Sequence, residues 1–438
     1  MPISKKKRKY TRKWKNGNIN GFLFSKTKLN KTLKKMKKMK KKDIQESLKL
    51  VLPPSNQHNS GRCWMFAYLN TLRTSVIHHY KLPLSFSFSA SYMMFWDKYE
   101  KCKYFLEKVS TYSHLSLDEY DNHFLFHHMI SDGGTWNMLH NLVEKYGLVP
   151  YESMKESFHT LSTKQMSSIL SQFLKTFSKK LRQAPKSKHT SMIQKQMVKI
   201  KHFLEKAIGV PPKKVKFATF SPCAPKMLFS KYVGTLPGNS FEKKVVLIHV
   251  PHLNQNQYYT IPELNNMKQG HPLLYFNTSG PTFKQAILKE LESNTPVWFG
   301  SDYEQFQHKD ESFSDNQLFD YRGFEFKKEE LILKKSNSIP YYQTNPNHAM
   351  VLHGFYYKTN PSEPCFWIVE NSHDAKMKKI SYEYDAGKII ISDSWFDNYV
   401  IIASVNHTSI LSKQVRDKIK DKSSVISLPK WSPLGELL

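Results

Sequence analysis

The chain has 438 residues, a formal net charge of +30 and a hydrophobic share of 39%. That length can hold more than one core, while the absence of any run of eighteen apolar residues argues against a membrane-spanning helix. The four cysteines, Cys63, Cys102, Cys223 and Cys365, are scattered without a paired framework, which suits a reducing compartment and reads as one reactive thiol and three structural ones.

The charge is uneven along the chain. Residues 1–42 carry eighteen Lys or Arg and no Asp or Glu, leaving +12 for the remainder. Residues 1–43 therefore read as a basic, disordered tail, because like charges repel and the segment has too little apolar surface to fold. They lack the apolar stretch of a secretory signal, so a cytoplasmic location is expected. Lys5-Lys6-Lys7-Arg8-Lys9 adds a nuclear address as a second reading, and residues 1–42 offer their cations to nucleic acid.

At Asn56 the character changes. Asn56-Gln57-His58-Asn59-Ser60-Gly61-Arg62-Cys63-Trp64-Met65-Phe66 sets a glutamine six residues before a cysteine. Met65, Leu69, Leu72 and Val76 then recur at the spacing of one buried helical face, with Ser60-Gly61 as a turn before it. A helix N-terminus places unpaired N–H groups and a positive dipole end beside its first side chain, which lowers a thiol pKa. Cys63 is thus the candidate nucleophile. Gln57 and the backbone N–H of Cys63 are the candidate donors to an oxyanion.

Residues 44–150 read as a mainly helical lobe, in which His123, His127 and His128 form a polar helix face and no metal site is expected. Residues 155–240 read as a lysine-rich, largely helical insertion, broken at Ala184-Pro185-Lys186-Ser187 and turning at Gly209-Val210-Pro211-Pro212. Short apolar or alternating runs follow at Val245–Val250, Pro296–Gly300, His348–Tyr357, Cys365–Glu370, Lys388–Ser392 and Asn398–Ser404, suited to an antiparallel sheet. Pairing the third and fourth runs as a hairpin brings His348, at the start of one, near Asn371, just past the end of the other. A thiol hydrolase needs such a pair, an imidazole for acid/base work and a group that orients it.

Taken together, these motifs resemble the papain-like cysteine peptidases, and within them the bleomycin hydrolase or aminopeptidase C branch. Phe88–Lys98, the double glycine in Asp132-Gly133-Gly134-Thr135-Trp136, Glu144–Pro150, Pro296–Asp302, Asp393–Val400 and Leu428–Gly435 are similar to that branch in the same order. The resemblance implies an α+β, two-lobe fold with a helical lobe, an antiparallel sheet or barrel lobe, a helical insertion and a C-terminal arm at 428–438, the whole domain covering 44–438. It implies Cys63 as nucleophile, His348 as acid/base, Asn371 as its orienter and Gln57 as oxyanion donor. Gly133 and Gly134 would hold substrate backbone, and the carboxylate of Leu438 would meet the substrate's α-ammonium. Peptide substrates, no cofactor and a homohexamer with an internal channel are implied as well.

One departure stands out. The branch continues Asn-Ser-Trp-Gly where this chain reads Asn371-Ser372-His373-Asp374, so the hydrogen bond between Asn371 and His348 is expected to lie open to water. The alternative is therefore a nucleic-acid-binding protein on a weakened or inactive peptidase scaffold.

Overall fold

The computed structural model describes residues 44–46, 52–53, 55–128, 130–262, 264–308, 312–319, 327–357, 364–373 and 388–435. The basic segment 1–43 and Leu438 lie outside the described residues.

Helix α1 (Cys63–Tyr80) buries the predicted stripe of Met65, Leu69, Leu72 and Val76 and stops at Lys81, which is left-handed and donates its N–H to the Ile77 carbonyl. Helix α2 (Ala90–Thr111) starts on Ser89, whose hydroxyl accepts the Tyr92 N–H. Helix α3 (Tyr120–His127) carries His123 and His127 with ring centroids 4.3 Å apart. Helix α4 (Trp136–Tyr146) starts on Thr135 and ends at Gly147. That glycine is required: its φ is +80°, and a Cβ there would lie 2.0 Å from the Pro225 carbonyl oxygen. Helices α5 (Lys164–Gln183) and α6 (His189–Ala207) are separated at Ala184-Pro185, where the missing proline N–H ends the first.

The segment after α6 is less helical than its composition suggests. Strands β2 (Val215–Phe217) and β3 (Phe220–Cys223) form a small hairpin, and Leu228–Val233 winds as a π-helical turn.

The remaining strands form one large sheet. They are β1 (Ile44–Glu46), β4 (Lys244–Ile248), β5 (Gln257–Thr260), β6 (Tyr275–Asn277), β7 (Val297–Ser301), β8 (Gln307–His308), β9 (Phe313–Ser314), β10 (His348–Tyr357), β11 (Pro364–Glu370), β12 (Lys388–Ser392), β13 (Val400–Asn406) and β14 (Val425–Ser427). Their order is β14-β5-β6-β4-β13-β7-β10-β11-β12-β9-β8, with β1 pairing off β10. The sheet is mixed, which corrects the antiparallel expectation. Its central pairs are antiparallel, but β4/β6, β5/β14 and β9/β12 are parallel, because short strands after long connections re-enter the sheet in the same sense.

Alternation along the strands divides the core between the sheet's two faces. Val246, Ile248, Trp298, Ala349 and Val351 join α1 to α6, while Val245, Leu247, Val297, Phe299, Met350 and Leu352 face helices α7 (Gly280–Glu292) and α8 (Asp393–Tyr399). Helix α1 thus lies across β10 and β7 with its N-terminus near the start of β10. Among the described residues no helix is long and apolar enough to cross a membrane.

Candidate active site

Cys63 is the first residue of α1, and no side chain caps that end. Met65 and Phe66 donate their N–H groups to the Arg62 carbonyl, whereas the N–H groups of Cys63 and Trp64 are directed at the Cys63 sulfur. A third donor is the N–H of Ala349, the residue after His348. The thiol therefore rests against the first residues of β10. Burial nevertheless pushes it up to about 11, outweighing the three N–H groups, so the helix terminus alone does not make a free thiolate.

His348 opens β10, paired with Ser301 of β7. Strand β11 runs antiparallel on its other side and delivers Asn371 just past its end, as the hairpin predicted. His348 Nε2 donates to Asn371 Oδ1 at 2.8 Å, and Asn371 Nδ2 donates to the Tyr303 hydroxyl at 3.1 Å. Because an amide oxygen only accepts, this bond fixes the proton on Nε2 and leaves Nδ1 as the basic nitrogen. Burial holds the imidazole down at about 4, against the Asn371 bond and the charge of Glu304. Burial thus disfavours the charged form of both the Cys63 thiol and the His348 imidazole.

The orienting bond is covered, contrary to the expectation from Asn371-Ser372-His373. Asn371 is 1% exposed. The Tyr303 ring stacks on His348 at a centroid distance of 5.1 Å, and His373 stacks on it at 5.1 Å with planes 18° apart. The His373 imidazole and the Tyr303 ring thus both lie against His348.

Gln57 is buried and tied to the same loop. Its N–H donates to the Ser372 carbonyl at 2.7 Å, and its Oε1 accepts the Ser372 hydroxyl at 2.6 Å. Nε2 spends one hydrogen on the Ser60 carbonyl at 2.5 Å, which leaves one donor for a developing oxyanion.

The double glycine divides its work. Gly134 is buried, and a Cβ there would lie 2.6 Å from the Trp64 ring, so this residue lets the 132–135 segment close on helix α1. Gly133 is partly exposed, but its carbonyl accepts Lys101 Nζ at 2.6 Å. Three fixtures around them escaped the sequence reading. Trp64 Nε1 donates to the Asp132 carbonyl, Trp298 Nε1 donates to the Trp64 carbonyl, and the Asp132 carboxylate takes Lys98 at 2.6 Å together with the Gly61 N–H. An acid directly before a double glycine was the available signal for the last.

The C-terminal segment docks rather than hangs free. The Leu428 N–H bonds the Thr260 carbonyl, Lys430 pairs with Asp121, and the Trp431 ring meets Tyr120 edge-on at 5.0 Å. Leu434 is buried and Gly435 packs on Leu264. Tyr120, Asp121, Leu264, Lys430, Trp431 and Gly435, with Tyr104, Phe124 and Ser131, line a cavity of about 760 Å³. Ser131 stands two residues before Gly133. Leu438, the residue expected at the arm's end, lies outside the described residues.

Comparison with known proteins gives a consistent result. The chain matches the Peptidase C1-like family over residues 3–435. It is 31% identical over 397 residues to an aminopeptidase C of Listeria innocua, covering 87% of this chain and 86% of the relative. It is 29% identical over 409 residues to the bleomycin hydrolase of Gallus gallus, covering 88% and 86%. The crystal structure of PepW from Lactobacillus rhamnosis HN001 superimposes with a TM-score of 0.86 at 28% identity, covering 99% of this chain and 95% of that one.

Proposed function

The chain belongs to the peptidase C1-like family and is a cysteine aminopeptidase of the aminopeptidase C and bleomycin hydrolase type; from that premise we propose that Cys63, His348, Asn371 and Gln57 carry its reaction. One observation supports the assignment above all: the Cys63 sulfur lies against the Ala349 N–H while His348, one residue earlier, is locked by Asn371 with Nδ1 left basic.

In the first step Nδ1 takes the thiol proton as the sulfur attacks the scissile carbonyl carbon. The oxyanion is met by the Cys63 N–H and by the remaining hydrogen of Gln57 Nε2. Collapse to the thioester breaks the C–N bond, and the leaving amine takes the proton back from Nδ1. Water then attacks the thioester with the same nitrogen as base, returning the thiol and releasing the acid.

The finer parts of the proposal follow from the same premise. Gly133 and Gly134 border the substrate backbone, and the arm at 428–438 closes one end of the cleft so that Leu438 meets a free α-ammonium. Peptides with free N-termini are the substrates, the chain assembles as a homohexamer, and it works in the cytoplasm, in keeping with four cysteines that are all free and buried. Light scattering tests the hexamer; a monodisperse monomer at working concentration would remove it. Deleting residues 1–42 tests the basic segment, which should carry salt-sensitive retention on DNA while hydrolysis of a small neutral peptide stays unchanged. Equal retention without the segment would remove that role.

The assignment itself is tested by an epoxide thiol probe with peptide mapping. The adduct should fall on Cys63 and abolish hydrolysis, whereas labelling confined to Cys102, Cys223 or Cys365 would refute it.

A further inference from the structure

Two helical turns into α1, the nucleophile helix meets a buried ionic cluster that the reaction itself does not use. Glu370 Oε1 accepts Asn70 Nδ2 at 2.6 Å and the Arg73 guanidinium at 3.2 Å. Its other oxygen, Oε2, takes His353 Nε2 at 2.6 Å. Arg73 also donates to the Pro53 carbonyl at 2.8 Å, and Asn70 exchanges hydrogen bonds with Ser55. Asn70, Arg73, His353 and Glu370 are all buried.

The cluster joins the three elements that carry the proposed reaction centre. Asn70 and Arg73 belong to the helix that Cys63 begins, His353 to the strand that His348 begins, and Glu370 is the residue before Asn371. The strand is altered locally to reach it. Pairing of β10 with β11 slips between Leu352 and Gly354, so His353 is the extra residue of a β-bulge. Without the slip, Phe355 would point away from the face that Leu352 occupies; with it, both lie in the same core layer and His353 turns toward α1.

Apolar side chains of similar size would hold a buried helix–sheet contact at least as well, since desolvating ions opposes their attraction. What an ionic cluster adds is direction: a guanidinium, an amide and an imidazole all converge on one carboxylate and admit one register of helix on sheet. Burial works against the Glu370 carboxylate, but Arg73 and His353 bring it below the usual range, so it is ionised wherever the chain is folded near neutrality.

We infer that Glu370 is a positioning residue, fixing the nucleophile helix against the β10–β11 pair so that the Cys63 sulfur and His348 Nδ1 stay in reach of each other. The inference rests on Cys63, His348 and Asn371 forming the reaction centre. A shift of about 1 Å between the helix and the strand pair separates sulfur from imidazole without unfolding either.

Glu370→Gln keeps the shape and removes the charge. Arg73→Leu combined with Glu370→Gln removes the orphaned cation as well, and keeps the test valid if the single variant folds poorly. Three quantities are read on full-length protein: kcat and KM per folded molecule on an aminoacyl substrate, the rate of Cys63 alkylation by iodoacetamide across pH, and the melting temperature. The expected result is a kcat lower by roughly tenfold or more with KM within about twofold, a parallel fall in the alkylation rate with an altered pH profile, and partial rescue by Arg73→Lys over Arg73→Leu. Wild-type kcat and an unchanged alkylation profile in a folded double variant, whatever its melting temperature, would overturn the inference. Alkylation needs no substrate, so a wild-type chain that fails to hydrolyse peptides refutes the proposed function without deciding this one.

Discussion

The ring of His373 stacks on the ring of His348, with centroids 5.1 Å apart and planes 18° from parallel. An exposed imidazole thereby covers a buried one whose other contacts are Tyr303 and Asn371. Removing that cover lets water compete for the Asn371 bond, which weakens it by about 1 kcal/mol. His373→Ala should accordingly lower kcat/KM by roughly fivefold, while His373→Trp should keep most of the activity. Wild-type kcat/KM in His373→Ala would mean that Tyr303 shields the bond alone.

In the proposed reaction His348 must be neutral at Nδ1 to accept the thiol proton. With its imidazole held down at about 4 by burial, the base is available throughout the neutral range and is lost as pH falls through about 4. A profile of kcat/KM against pH should be flat near neutrality with its acid limb near that value. A limb near 6.5 would instead indicate a solvated imidazole.

Buried neutral histidines also tie stability to pH. His140 is held at about 3 and His348 at about 4, both below the ordinary 6.5 and both chiefly by burial. The unfolded chain therefore binds more protons below 6.5, so stability rises with pH between about 4 and 6.5 and is lost on acidification through that window. These two residues alone should cost about 4 kcal/mol between pH 7 and pH 5. Glu370 and Asp132 are shifted below their ordinary values, so their contributions are lost only at still lower pH. Urea titrations at the two pH values check this; equal midpoints would contradict it.

The arm can be shortened without undocking it. Lys430, Trp431 and Leu434 make its contacts, so deleting residues 436–438 leaves them in place. The truncated enzyme should lose roughly tenfold of its preference for a free N-terminus, the worth of one charge-assisted contact, and should begin to cleave N-acetylated peptides. Unchanged refusal of blocked substrates would mean that the gate lies elsewhere.

Much of this arrangement was legible in the sequence because it is local. The stripe from Met65 to Val76 gave the nucleophile helix, Ala184-Pro185 its break between α5 and α6, and the runs ending at Tyr357 and Glu370 gave the hairpin that joins His348 to Asn371. What stayed hidden depends on pairs far apart in sequence. Trp64 with Trp298, Asn70 and Arg73 with Glu370, and Gly61 with Asp132 leave no periodic trace. The cover over His348 is hidden in the sequence for a similar reason. The absent indole is visible in the sequence at His373, but the tyrosine beside it comes from a different strand end. Parallel pairing of β9 and β14 escaped as well, since a strand of two or three residues carries no direction.

Turnover by Cys63→Ala against wild type decides whether the Cys63 sulfur is the attacking atom. Both proteins, purified identically and matched in melting temperature, are compared on an aminoacyl fluorogenic substrate. A loss of several orders of magnitude in kcat is expected for Cys63→Ala, with no comparable loss in Cys102→Ala or Cys365→Ala. Wild-type turnover in Cys63→Ala, free of contaminating peptidase, would contradict it.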